Sequence, residues 1–331
     1  MQPWGTSGYS MVIRMLRLFE IERGRVAELF SEGAVTEEQL SETVWIDLQE
    51  PQEDERALLE QLLRTELPES EDVDEIEASA RYFIDAAGVH IHSLFLTQSE
   101  GRHDTSTVAF ILQPERLITV RDSELADFRL LRMRARRGQV EARSAQELTV
   151  QVFEQKVENL ADALEDIHVE LGKASYLVLE KEDTDLEDAI DMLARLEDSN
   201  GKIQLCLMDS RRSITFLQRH IQIDSELQES FRDITRDIDT LMAHTGFLFN
   251  KINFLMDSTQ GFINIKQTNI IKMFSIAAVV FLPPTTVASI YGMNFEHMPE
   301  LDWLLGYPFS LGLIVLSGIA PYLYFKKKGW L

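Results

Sequence analysis

Cysteine is nearly missing from the chain: Cys206 is the only one in 331 residues. That excludes an internal disulfide framework and suits a reducing compartment, and the residue reads as a buried helix position. Basic residues are also few, 32 against 55 acidic ones, and the net charge of −23 argues against nucleic-acid binding, which needs basic surface to replace counterions. No proline occurs between Pro114 and Pro283 and glycine is sparse there, so long uninterrupted helices are expected. The chain has no glycine-rich phosphate loop, no Gly-x-Ser-x-Gly and no His-Glu-x-x-His, so no enzymatic signature is present. His90 and His92 share one face of an expected strand, but without a third ligand they read as an ordinary buried or surface pair. Residues 1–10 lack a basic segment followed by a long apolar core, so they do not form a signal peptide and read as a tag or extension.

Long apolar runs are confined to the last part of the chain. Met273 to Tyr291 and Trp303 to Phe325 are uncharged and each reaches the ~17–25 residues a bilayer-spanning helix needs. Only Gly292 to Asp302 separates them, so they form a hairpin whose outer ends share one side. Lys266 and Lys272 precede the first run and Lys326, Lys327 and Lys328 follow the second, whereas the loop holds Glu296, Glu300 and Asp302 and no lysine or arginine. The positive-inside rule puts both outer ends in the cytoplasm. Along the first run Ser275, Ala278, Leu282, Thr285 and Ser289 recur at spacings of three or four, beside carbonyls freed by Pro283 and Pro284. Close packing of small residues and a water-facing lining both account for this stripe. Two helices per chain cannot enclose water, so a pore requires several chains. Continuing the face inward adds Ile271 and Thr268.

From 11 to 144 the pattern is mixed. Strands are expected at Val12 to Ile21, Val26 to Phe30, Val44 to Leu48, Tyr82 to Asp85, Val89 to Leu96, Thr107 to Leu112 and Leu117 to Val120, with helices at Gln52 to Thr65 and Ser123 to Arg137. This reads as an α/β domain with a mixed sheet. Residues 145–218 form an acidic helix pair, Ala145 to Leu179 and Asp185 to Ser213, joined by the charge run Glu180 to Asp191, most simply solvated surface. Residues 219–291 read as one stalk helix that becomes the first membrane helix at about 272. Leu227, Phe231, Ile234, Ile238, Leu241, Thr245, Leu248, Ile252 and Leu255 alternate spacings of four and three, a heptad seam. From Leu227 to Tyr291 a continuous helix spans roughly 95 Å at ~1.5 Å per residue. An intramolecular bundle accounts for part of the seam, and parallel association of identical chains is the further expectation. The fold class is therefore an α+β cytoplasmic domain with a long helical stalk and two C-terminal transmembrane helices, 303–325 being the second and 326–331 a basic tail, assembled as a homo-oligomeric funnel.

Tyr291-Gly292-Met293-Asn294 ends the first membrane helix and is followed by Phe295-Glu296-His297-Met298-Pro299-Glu300-Leu301. Together with Leu282-Pro283-Pro284-Thr285 and a tail ending Gly329-Trp330-Leu331, it closely resembles the CorA family of magnesium channels. The close match runs from Asn269 to Leu331. Upstream it is one of architecture with short segments, such as Val44-Trp45-Ile46-Asp47-Leu48 before Pro51. The related zinc-transporting branch typically has a glycine-rich loop after Gly-Met-Asn, and Met298-Pro299-Glu300-Leu301 favours the magnesium branch.

The resemblance implies a homopentamer in a bacterial inner membrane, both termini cytoplasmic, that lets Mg²⁺, and also Co²⁺ and Ni²⁺, flow in passively under the membrane potential. It assigns ion selectivity to Gly292, Met293 and Asn294 of the extracytoplasmic loop 292–302. Asn294 can offer a side-chain carbonyl to an ion that gives up its waters reluctantly. Glu296 and Glu300 are entrance charges or simply solvated. Phe231-Arg232-Asp233 and Leu255-Met256-Asp257 resemble stalk segments whose aspartates bind regulatory Mg²⁺ between subunits. On position alone, both aspartates could flank the seam by chance. The resemblance also places the acidic helix pair near the basic tails. Alternatives are a zinc-transporting relative and a membrane-anchored sensor or scaffold that conducts nothing.

Overall fold

The computed structural model describes residues 16–29, 40, 42–51, 56–57, 60, 81–99, 101–179, 186–294, 298–299 and 303–330. The first expected strand lies partly, and the expected helix Gln52 to Thr65 mostly, outside them, as do the extension 1–10 and the first half of the charge run, 180–185. The chain divides into two compact units, Met1–Leu255 and Met256–Leu331.

In the first unit, seven strands form one mixed sheet: β1 (Leu16–Glu22), β2 (Arg25–Leu29), β3 (Trp45–Gln49), β4 (Tyr82–Ile84), β5 (Val89–Ser99), β6 (Arg102–Leu112) and β7 (Leu117–Arg121). Their spatial order is β2-β1-β3-β7-β6-β5-β4, with β3 and β7 parallel and all other pairs antiparallel. Because side chains alternate across a strand, the sheet has two distinct faces. Leu18, Ile46, Leu48, Ala109, Ile111, Ile118 and Val120 make an aliphatic face together with Leu40. Phe19, Trp45, Phe95 and Phe110 make an aromatic one. Phe19 and Trp45 stack at 4.3 Å, Phe95 and Phe110 at 5.9 Å, and Phe128 and Phe153 from two helices close over them. The turn into β5 requires glycine at Gly88, where φ is +143° and an added Cβ would stand 2.4 Å from the Leu112 carbonyl oxygen.

Among the described residues the helices with defined bounds are α1 (Ala126–Arg136), α2 (Ala145–Leu179), α3 (Leu186–His220), α4 (Ser225–Tyr291) and α5 (Gly306–Lys327). Local signals set their ends. Gly138, at φ +66°, lets Gln139 N–H reach the Arg134 carbonyl and closes α1. Ser144 accepts from Glu147 N–H at the start of α2. Asp224 accepts from Leu227 N–H at the start of α4, so the stalk helix begins after a break at 221–224 rather than at 219.

Two buried polar clusters fix helices on the sheet. Asp47, fully buried on β3, accepts from Arg121 Nε at 3.1 Å, Arg121 Nη2 at 3.0 Å, Arg132 Nη1 of α1 at 3.2 Å and Thr119 Oγ1 at 3.0 Å, and Glu124 pairs with both arginines. Removing one member of such a buried set strands the others and costs ~3–5 kcal/mol. On β5, Ser93 links Lys156 of α2 at 2.8 Å to Asp209 of α3 at 2.5 Å, and Tyr82 of β4 donates to the same carboxylate at 2.9 Å.

The heptad seam of α4 is consumed inside the first unit. From Leu227 to Leu255 all its members are buried to 5 % exposure or less, save the half-buried Leu241. Asn200 of α3 donates to the carbonyl of Thr245, the seam's polar member, at 3.1 Å. The seam is therefore a core element of this unit. On either side of it the helix exposes large apolar side chains, Phe247 and Phe254 on one flank and Phe249 on the other.

Candidate functional site

In the second unit, α5 and the later part of α4 are apolar, and both helices are long and apolar enough to cross a membrane. The face of α4 carrying Lys272, Ile276, Val280, Pro284, Val287 and Tyr291 is buried or half-buried. Where it meets α5, an added Cβ on Gly318 would lie 3.2 Å from Pro284 Cγ and 3.7 Å from the Val280 carbonyl oxygen. Pro284 has no N–H to give that carbonyl, so glycine opposite lets α5 approach the interrupted ladder. Gly318 escaped the sequence reading. A glycine inside an apolar run was the available signal.

At the far end of the hairpin, Lys272 Nζ stands over the Trp330 ring at 5.9 Å and Trp330 stacks on Phe325 at 5.6 Å. Gly329, at φ +71°, ends α5 with Trp330 N–H on the Phe325 carbonyl. The outer ends of the two helices thus meet, with aromatic and basic side chains together, as at membrane interfaces.

The expected conduit residues Thr268, Ile271, Ser275, Ala278, Leu282, Thr285 and Ser289 are all exposed. Ala278, Leu282 and Thr285 each precede a residue of the α5-packed face (Val280, Pro284, Val287) by two positions. At 3.6 residues per turn, two positions are a rotation of ~200°. The stripe therefore lies opposite α5. Thr285 and Thr268 donate to the carbonyls four residues back, both at 2.8 Å, which leaves the hydroxyl oxygens facing outward as acceptors.

Gly292 N–H still bonds to the Ala288 carbonyl at 3.0 Å, and Met293 N–H to that of Ile290 at 3.2 Å, so Gly-Met-Asn begins as the last turn of α4. An added Cβ on Gly292 would meet the Ala288 oxygen at 3.2 Å. Met293 is 47 % exposed, and Asn294 is exposed. Glu296 and Glu300 lie outside the described residues.

Asp233 and Asp257 are both exposed. Asp233 pairs with Arg236 at 2.9 Å and borders a groove of about 360 Å³ between α2 and α4 that Glu154, Glu158 and Asp237 also line. Burial pushes the Glu154 carboxyl above its ordinary value, helped by Glu158, Asp233 and Asp237, while Arg134 opposes. These neighbours were illegible among 55 acidic residues. No three metal-ligating side chains among the described residues are grouped closely enough to hold an ion. The β5 histidines are separately engaged: His90 Nε2 lies 2.9 Å from Asp85, while His92 is buried with neither ring nitrogen hydrogen-bonded. Cys206 is buried, and burial pushes its thiol up to about 12.

An α/β domain followed by long helices and a C-terminal apolar hairpin defines a class of membrane protein with two spanning helices. The model of the family described as CorA-like Mg2+ transporter protein matches residues 41–327, and the chain belongs to that family, one of transporters and not of enzymes. It is 46 % identical over 319 residues to the magnesium transport protein CorA of Escherichia coli strain K12 and equally to that of Salmonella typhimurium, covering 96 % of this chain and 100 % of each relative. Among solved structures, the complete CorA magnesium transporter of Methanocaldococcus jannaschii aligns with a TM-score of 0.76 at 18 % identity, over 97 % of this chain and 100 % of that one. The full-length CmaX protein aligns with a TM-score of 0.69 at 15 % identity, over 97 % and 99 %. At such identities these structures establish the fold alone.

Proposed function

We propose that the protein is a channel for Mg²⁺, with Co²⁺ and Ni²⁺ as further cargo, that lets ions into the cell down the membrane potential. The observation that carries this reading is near-full-length identity to curated magnesium transport proteins. Identical chains, five by the family resemblance, surround an axis in the bacterial inner membrane with both termini in the cytoplasm. The α4 stripe turned away from α5 is the face available to line the axis, and its threonine and serine oxygens suit a hydrated cation. Gly292, Met293 and Asn294 form the mouth, where a ring of Asn294 amide oxygens holds Mg²⁺ through its water shell. Glu296 and Glu300 add attractive field. Cytoplasmic Mg²⁺ at Asp233 and Asp257 closes the channel. No nucleotide is needed, because about 100 mV does ~4.6 kcal/mol of work on a doubly charged ion, twice ~2.3 kcal/mol per charge.

The test is Mg²⁺ flux into liposomes bearing the purified protein under an imposed potential. Flux is expected in the wild type and absent in Asn294→Ala, with the oligomer intact. A wild type without flux would favour the scaffold reading. Selective flux through Asn294→Ala would remove the filter assignment.

A further inference from the structure

The first unit brings two histidines together across a helix pair. The groove residues Glu154, Val157, Glu158 and Ala161 of α2 face Asp233, Ile234, Asp237, Thr240 and Leu241 of α4. Two turns beyond Ala161 comes His168, and one turn beyond Leu241 comes His244. Their ring centroids are 5.8 Å apart with planes at 51°, so the rings are neither stacked nor hydrogen-bonded. Neither imidazole has an ion pair or hydrogen bond to any other side chain among the described residues. His168 is exposed and His244 half-buried, with the Phe247 ring 6.4 Å from the latter.

An imidazole nitrogen lies about 1.1 Å from its ring centre and a metal–nitrogen bond is ~2.1 Å long, so two rings on one ion at ligand angles of ~90–180° have centroids ~4.5–6.4 Å apart. The observed separation falls in that interval. We propose that His168 and His244 chelate a divalent transition-metal ion of the Ni²⁺, Co²⁺ or Zn²⁺ class, clasping α4 to α2. Imidazole suits these ions and not Mg²⁺, which prefers oxygen. Two protein ligands leave the remaining positions to water, an open and exchangeable site, consistent with the lack of any grouped set of three ligands. The site is independent of the pore and of Asn294, so it stands or falls apart from the transport reading.

The test uses the full-length protein in detergent, with Ni²⁺ as the probe and Mg²⁺ in large excess to fill oxygen sites. Titration calorimetry is expected to show one Ni²⁺ per chain. His168→Gln and His244→Gln should each weaken that binding at least tenfold, and the double variant no further than either single, because one lost ligand ends the chelate. Copper-loaded protein should show two coupled imidazole nitrogens by electron paramagnetic resonance, and each variant should lose that pattern. Thermal midpoints without metal should change little, since neither side chain makes a hydrogen bond or ion pair to another described side chain. Absence of Ni²⁺ binding in the wild type overturns the proposal. So does binding that survives either substitution, or losses that add in the double variant as two separate sites would.

Discussion

Two buried titratable side chains, His92 and Asp127, pull the stability of the first unit in opposite directions across one pH window, from about 4 to about 7. His92, 1 % exposed, is held neutral: burial first, then His90 and Arg81, lower it from 6.5 to about 4. The unfolded chain takes up a proton there at the ordinary value while the folded chain refuses it, so stability is lost as pH falls from about 6.5 toward 4. Asp127, 3 % exposed at the start of α1, goes the other way. Burial raises it from 3.8 to about 7, opposed by its own backbone, Lys156 and Asn159. The folded state therefore keeps a proton that the unfolded state releases, and stability is lost as pH rises from about 4 to about 7. His92→Leu should flatten the acid-side loss, and Asp127→Asn should raise the thermal midpoint at pH 8 with little change at pH 4. Thermal melts across that range check both, and parallel shifts at all pH values would show that neither group titrates as described.

At the scale of elements, what was legible followed from periodicity and punctuation. All seven strands were anticipated, and α2 was placed at its observed bounds, because alternation, turn residues and proline-free stretches are local signals. What escaped depends on partners distant in sequence. The full length of β5 and β6 follows from an eleven-pair register, which no single strand reveals. Asp224 as a helix cap was one acid among many. The heptad seam was read correctly as a seam, but periodicity does not say which chain supplies the other side, and the structure fills it from within. Of the proposed functional residues, the conduit stripe was legible as a face, while Gly318, which brings α5 onto the opposite face, was not.

The two faces make a discriminating prediction. Cysteines at Ala278, Leu282, Thr285 and Ser289 should react with a water-soluble thiol reagent in a conducting state. Cysteines at Ile276, Val280 and Val287, turned toward α5, should be protected. Mass-spectrometric labelling of single-cysteine variants on a Cys206→Ser background decides it. Reaction of both sets alike would mean that the stripe does not face water.

At the scale of the whole molecule, the proposed sensor asks weak, exposed carboxylates to govern a channel. The Asp233–Arg236 pair is more than half exposed on both sides and is worth little, so it does not withhold the carboxylate from a cation. Nor could one Mg²⁺ at one such aspartate hold a channel shut. Swinging a two-state equilibrium from 1:99 to 99:1 needs a differential affinity of ~10⁴. Spread over five equivalent sites in a pentamer, however, the same swing asks only about sixfold at each, the fifth root of ~10⁴. On the proposed pentameric reading weak sites suffice when every subunit has one, and closure should then depend steeply on cytoplasmic Mg²⁺. Removing the charge at both positions, Asp233→Asn with Asp257→Asn, should shift half-inhibition to at least tenfold higher internal Mg²⁺ and reduce its steepness. Selectivity at Asn294 should persist. Flux into liposomes preloaded with graded Mg²⁺ measures both quantities, and an inhibition curve unchanged in the double variant would place the sensor on other residues.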